Sequence, residues 1–137
     1  MSLAYLDASA IVKLVAVEPE TAALERDLAH RSGLLTSRLS LTEVMRAAGR
    51  SASRRVLRQA EEVLESFVLL DVTPSILDRA GRLQPFTLRT LDAIHLATSA
   101  ALNIAGLDFI TYDARLAQAA AIHGLRVIQP GATSQRT

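Results

Sequence analysis

The chain has 137 residues and a mass of 14.7 kDa, with half of its residues hydrophobic, 21% charged and a formal net charge of +1. That is one ordinary domain with enough apolar content for a core, which excludes a disordered or linker protein. Zero cysteines exclude a disulfide scaffold, a cysteine zinc site and a thiol nucleophile. A near-neutral balance argues against a passive nucleic-acid coat, and 4% aromatics are too few for a base-stacking platform. No apolar run approaches the roughly 20 residues of a membrane span. The apolar start lacks a basic signal-peptide region, so a cytoplasmic protein is expected.

In chain order, short apolar runs alternate with helical spacing. Leu3 to Leu6, Leu34 to Thr36, Phe67 to Val72, Phe109 to Thr111 and Arg126 to Ile128 read as strands covered on both faces. Val56, Ala60, Val63, Leu64 and Phe67 make one apolar helical stripe. Thr73-Pro74 predicts a capped helix over Ser75 to Leu83, and Thr90 a cap for Leu91 to about Leu102, with Gly106 just beyond. Asp113 is placed to cap Ala114 to His123, which ends at Gly124. The order β-α-α-β-α-α-β-α-α-β-α-β predicts an α/β domain: a parallel sheet with helices on both faces. Residues 1–130 are expected to form it, with 131–137 as a flexible tail.

Such sheets bind ligands outside the carboxyl ends of their strands. Asp7 follows the first strand there and Asp113 the fourth. Glu43 and Asp92 lie near helix starts that face the same edge. The one lysine, Lys13, stands about a turn and a half past Asp7 and is not placed to neutralise the group. Gathered carboxylates repel unless a cation arrives, and oxygen-only donors suit Mg²⁺ or Mn²⁺. Each acid also fits a local role. Ser40-Leu41-Thr42-Glu43 reads as a capping box, Asp7 and Asp113 as N-caps, and Asp92 as a first-turn acid facing the helix dipole.

Tyr5-Leu6-Asp7-Ala8-Ser9-Ala10-Ile11-Val12-Lys13-Leu14 resembles the opening motif of PIN-domain ribonucleases, specifically the VapC toxins of toxin–antitoxin pairs. Leu41-Thr42-Glu43-Val44, Arg89-Thr90-Leu91-Asp92-Ala93-Ile94-His95-Leu96-Ala97-Thr98 and Phe109-Ile110-Thr111-Tyr112-Asp113-Ala114-Arg115-Leu116 resemble the family's three later motifs, in order. The resemblance implies a three-layer PIN-like domain. It implies a metal-dependent endoribonuclease in which Asp7, Glu43, Asp92 and Asp113 hold one or two Mg²⁺ or Mn²⁺ ions, with Asp7 the expected shared ligand. Ser9 and Thr111 fall on positions that support the acids by hydrogen bonds. Single-stranded RNA would be cut to a 5′-phosphate and a 3′-hydroxyl. The implied partners are a VapB-like antitoxin, a structured RNA of the transfer or ribosomal class, and a second copy of the chain; no membrane is implied. The alanine-rich segment from Ala8 to Leu28 fits an interface or the core equally well.

Arg46, Arg50, Arg54 and Arg58 recur every four residues, which on one continuous helix makes a basic stripe for RNA; Gly49, Ser51 and Ser53 are potential breaks. His95 lies a turn beyond Asp92, but His30 and His123 fall in unrelated segments, so a paired-histidine mechanism is not expected. A receiver-type phosphoacceptor needs a lysine near a late strand end, and there is none. The remaining alternative is a non-catalytic PIN-fold module that binds RNA or protein, whose melting temperature Mg²⁺ would not change.

Overall fold

The computed structural model describes residues 2–132. Twelve elements alternate as the sequence predicts: β1 (Leu3–Leu6), α1 (Ala8–Val15), α2 (Thr21–Leu28), β2 (Gly33–Ser37), α3 (Leu39–Gly49), α4 (Arg54–Glu65), β3 (Val68–Leu70), α5 (Pro74–Arg82), α6 (Thr90–Leu102), β4 (Asp108–Ile110), α7 (Ala114–Ile122) and β5 (Arg126–Ile128). The five strands form one parallel sheet in the order β3-β2-β1-β4-β5. The chain therefore builds outward from β1 in one direction and from β4 in the other. That reversal opens a crevice between the carboxyl ends of β1 and β4, the place where such sheets take ligands.

Alternate strand residues feed two cores, because side chains along a strand point to opposite faces. Ala4, Leu6 and Ile110 pack with Ile11, Leu24, Val44 and Leu64 of the first four helices. Tyr5, Leu35 and Phe109 pack on the other face with Leu96 of α6 and Leu116, Ala119 and Ala120 of α7. Tyr5 and Phe109 lie parallel at 5.4 Å between centroids, joining the two central strands beneath α6. α5 adds an outer layer through Ile76 and Ala80 against Ala93, Ile94 and Ala97 of α6. Both faces are covered, which explains the unbroken apolar strands.

The caps are partly as predicted. Thr73 accepts from the Ile76 amide at 3.1 Å and Pro74 opens α5. Thr90, however, lies inside α6 and Arg89 holds the N-cap position without a side-chain cap on the helix amides. The far end of α6 stops at Asn103, whose φ of 49° is the left-handed turn that asparagine tolerates. The basic stripe is interrupted. α3 ends at Gly49, Ala52 turns left-handed at φ 56°, and Ser53 caps α4 by accepting from Val56 N. Arg46 and Arg50 thus close one helix while Arg54 and Arg58 open the next, all of them exposed.

Of the expected tail, Gly131 is seated against Ala23 of α2 and Glu20 just before it, and 133–137 lie outside the described residues. Among the described residues no helix is long and apolar enough to cross a membrane.

Phe109→Ala removes a fully buried ring and should cost about 3–5 kcal/mol in urea unfolding. Phe86→Ala, at a ring 72% exposed, should cost no more than about 0.5 kcal/mol. Equal losses would mean that the Tyr5–Phe109 stack does not carry the core.

Candidate functional site

Asp7 is the first residue past β1, and its side chain is 3% exposed. A buried carboxylate must be given donors or it will take up a proton. Here Oδ1 accepts from the Ala10 amide at 3.1 Å, which caps α1. Thr111 Oγ1 donates to Oδ2 at 2.7 Å, and Ser9 Oγ reaches both oxygens at 2.8 and 3.0 Å. The two hydroxyls are themselves aimed. Tyr112 N donates to Ser9 Oγ and Asp113 N donates to Thr111 Oγ1, so the hydroxyl protons are left for Asp7. Burial nevertheless raises the Asp7 pKa, with the nearby His95 and these hydrogen bonds opposing the rise. N-cap and candidate ligand are therefore one residue with two duties.

Asp113 has the same double role. Its Oδ1 accepts from Arg115 N at 2.9 Å and Leu116 N at 3.0 Å, starting α7, while Oδ2 faces the site. Asp92 sits in the first turn of α6, three residues past the N-cap. Burial raises its pKa and the neighbouring Asp113 charge raises it further, against the pull of Arg89 and His95. Arg89 joins the two acids, with Nη2 at 3.0 Å from Asp113 Oδ2 and Nε at 3.5 Å from Asp92 Oδ2. Lys13 is occupied elsewhere, with Glu18 and Glu20.

Glu43 departs from the capping-box expectation. α3 begins at Leu39, so Ser40 lies within the helix and is fully buried. Thr36 Oγ1 donates to the Leu6 carbonyl at 2.6 Å, and Ser40 Oγ, 2.6 Å away, supplies the second proton of the chain. This link ties β1, β2 and α3 together just below Asp7. Glu43 is then freed from the backbone and accepts from His95 Nε2 at 2.7 Å. Because a carboxylate only accepts, that nitrogen carries the proton. Nδ1 lies 2.8 Å from the Tyr5 hydroxyl, and burial, with Asp7 next, raises the Tyr5 pKa and keeps its proton in place. His95 is 1% exposed and edge-on to Tyr5. Sequence spacing did not find this Tyr5–His95–Glu43 chain, since its members are far apart along the polypeptide.

The structure thus brings Asp7, Glu43, Asp92 and Asp113 to one sheet edge with Ser9 and Thr111 on Asp7. Arg46, Arg50 and Arg54 stand apart, at the α3–α4 turn. Among the described residues, no three Asp, Glu or His side chains stand close enough to grip one ion directly. The donor set still fits a hard cation: oxygen atoms alone, with a guanidinium already seated between Asp92 and Asp113. Mg²⁺ keeps several waters and uses one or two carboxylates, so two acids suffice as first contacts.

A raised pKa means that ionised Asp92 penalises the fold, fully above its folded pKa and not at all below the ordinary value of 3.8. In chelator, Asp92→Asn should therefore melt higher than the unmodified protein at pH 7, and the gain should fade as pH drops toward 3.8. A gain that grows on acidification would contradict the assigned environment.

A PIN-domain family model matches residues 4–122. Ribonuclease VapC46 of Mycobacterium tuberculosis is 46% identical over 136 residues, covering 95% of this chain and 99% of that protein. Ribonuclease VapC47 of the same species is 36% identical over 93% of this chain and 97% of its own length. Among solved structures, M. tuberculosis VapC20, described as a sarcin–ricin-loop-cleaving toxin, superposes with a TM-score of 0.74 at 17% identity, over 93% of this chain and 99% of that one. DNA-bound VapBC from Salmonella typhimurium superposes with 0.73 at 20% identity, over 94% and 98%. A parallel α/β sheet with this acidic edge, a family match across most of the chain and close full-length relatives together place the protein among the PIN-domain ribonucleases of the VapC family.

Proposed function

We propose that this protein is a Mg²⁺- or Mn²⁺-dependent endoribonuclease, the toxin of a toxin–antitoxin pair acting in the cytoplasm, built as one domain over residues 1–130. The observation that carries the reading is the Asp7 carboxylate: buried, clamped by three neighbours, and set at the switch point of the sheet, on the edge where the helices of the other three acids begin. A fold that needed only an N-cap would not bury the charge so deeply or aim two hydroxyls at it.

Asp7, Glu43, Asp92 and Asp113 would hold one or two ions, with Ser9 and Thr111 fixing Asp7. A bound divalent ion supplies an activated water and screens the phosphoryl oxygens. The chain's own residues do the positioning. Asp7 is locked at a strand end, His95 orients Glu43 through the proton on Nε2, and Asp113 is held by the amides that start α7. Arg46, Arg50 and Arg54, exposed around the α3–α4 turn, are the proposed RNA contacts, and they present a bend rather than a stripe. The substrate is a structured transfer or ribosomal RNA; the partners are a VapB-like antitoxin and a second copy of this chain.

The test is digestion of total RNA by the antitoxin-free protein with Mg²⁺ or Mn²⁺ and with chelator. Discrete fragments with 5′-phosphates are expected only with metal, and Asp7→Asn should slow them more than about 100-fold. Cyclic phosphate ends formed in chelator would overturn the reading, and so would a folded protein that neither cuts nor gains melting temperature with metal.

His95→Ala leaves the four acids in place but loses the grip on Glu43, and should slow cleavage about 10–100-fold. His95→Gln, whose amide can still donate to Glu43, distinguishes orientation from bulk: partial rescue by His95→Gln and not by the shorter His95→Asn marks a positioning residue. Indistinguishable rates for all three would assign His95 to packing.

A further inference from the structure

Arg89 is the one arginine or lysine, among the described residues, that is ion-paired to any of the four acids. Its place is unusual for a structural ion pair. The side chain is 70% exposed, it sits at the N-cap position of α6 without capping the helix amides, and it spans Asp92 of that helix and Asp113 at the start of α7. The well-buried cations, by contrast, are fixed in networks of their own. Arg31 is held by Asp27 and Asp108, and Lys13 by Glu18 and Glu20.

The contact at Asp113 is exclusive. Oδ1 already accepts from two backbone amides, so Oδ2 is the oxygen left for a ligand, and Arg89 holds it. An incoming divalent ion that uses Asp92 and Asp113 must take those oxygens from a guanidinium that it also repels. The displaced group is long and solvent-exposed, and it is tethered at the rim of the same cluster. A guanidinium fork suits a phosphate as well as a carboxylate.

We propose that Arg89 is an internal counter-cation that occupies the Asp92–Asp113 pair before metal enters, is expelled by the ion, and then binds the RNA phosphodiester. The role deepens the metal-dependent reading of this site and rests on it. Arg89 thereby sets a metal threshold and links metal entry to substrate grip: a carboxylate contact is exchanged for a phosphate contact, with no bond made or broken.

The consequences for metal and RNA run in opposite directions, which a merely structural ion pair cannot reproduce. Calorimetric titration with Mn²⁺ should show Arg89→Gln binding about 3–10-fold tighter than the unmodified protein, since a competitor of exposed ion-pair strength is gone. At saturating Mn²⁺ the same variant should digest total RNA at least about 10-fold more slowly, through a contact made to the phosphate. Arg89→Lys keeps the charge without the fork and should bind Mn²⁺ within about 2-fold of the unmodified protein while recovering only part of the cleavage. Equal or weaker Mn²⁺ binding by Arg89→Gln overturns the counter-cation role, and undiminished cleavage at saturating Mn²⁺ overturns the phosphate role. Failure of the unmodified protein to bind Mn²⁺ at all would instead remove the metal-dependent reading, and this role with it.

Discussion

The rest of the site depends on one buried charge. Asp7 sits where the central strand ends, and an ionised carboxylate there is tolerable only if donors surround it. The sequence supplies them from two directions: Ser9 and the Ala10 amide from the turn that follows, and Thr111 from the end of the neighbouring strand. The same bonds that satisfy Asp7 pin the carboxyl end of β1 to that of β4. Tyr112 N and Asp113 N then lock the hydroxyls, so the backbone leading to the fourth acid is set by the support of the first. A local cap, an inter-strand tie and a candidate ligand are one construction.

Electrostatics then shape what this edge can do. Burial raises the pKa of Asp7 and Asp92, and the approach of Asp113 raises Asp92 further. The protein meets this crowding with a buried histidine bonded to Glu43 and one exposed guanidinium between Asp92 and Asp113, not with a fixed lysine. His95 is held from behind by Tyr5, which is itself stacked on Phe109 in the second core. The orientation of Glu43 is therefore continuous with the packing of the central strands. Arg89, on the open side, is the exposed part of the arrangement.

The topology explains why these groups meet. With the order β3-β2-β1-β4-β5, α1 leaves β1 toward one face and α7 leaves β4 toward the other. Two helix starts thus flank one crevice, and each is capped by an aspartate. α3 and α6 add Glu43 and Asp92 from opposite layers, meeting through the His95–Glu43 bond. Acids from four elements share an edge without any of them being neighbours in sequence.

Much of this is legible in the chain itself. Five short apolar runs separated by helical spacing specify a covered parallel sheet, because only strands buried on both faces can be apolar throughout. The position of Asp7 and Asp113 immediately after strands puts them at the carboxyl edge for the same local reason, and Thr73-Pro74 starts its helix through its own backbone geometry. Where competing local patterns existed, tertiary contacts chose between them. Ser40-Leu41-Thr42-Glu43 has the spacing of a capping box, yet Ser40 is drawn into a buried hydroxyl chain with Thr36 and Leu6, and Glu43 goes to His95. The four-residue arginine spacing implies one helix until Ser53 starts a new one. His95 carries no local signal for its role and Arg89 only its spacing to Asp92, since Glu43 lies 52 residues from the one and Asp113 24 from the other, and both are fixed only when the layers pack. Strand and helix identity follow from nearest neighbours along the chain; the pairing of charges follows from which elements the sheet order brings together.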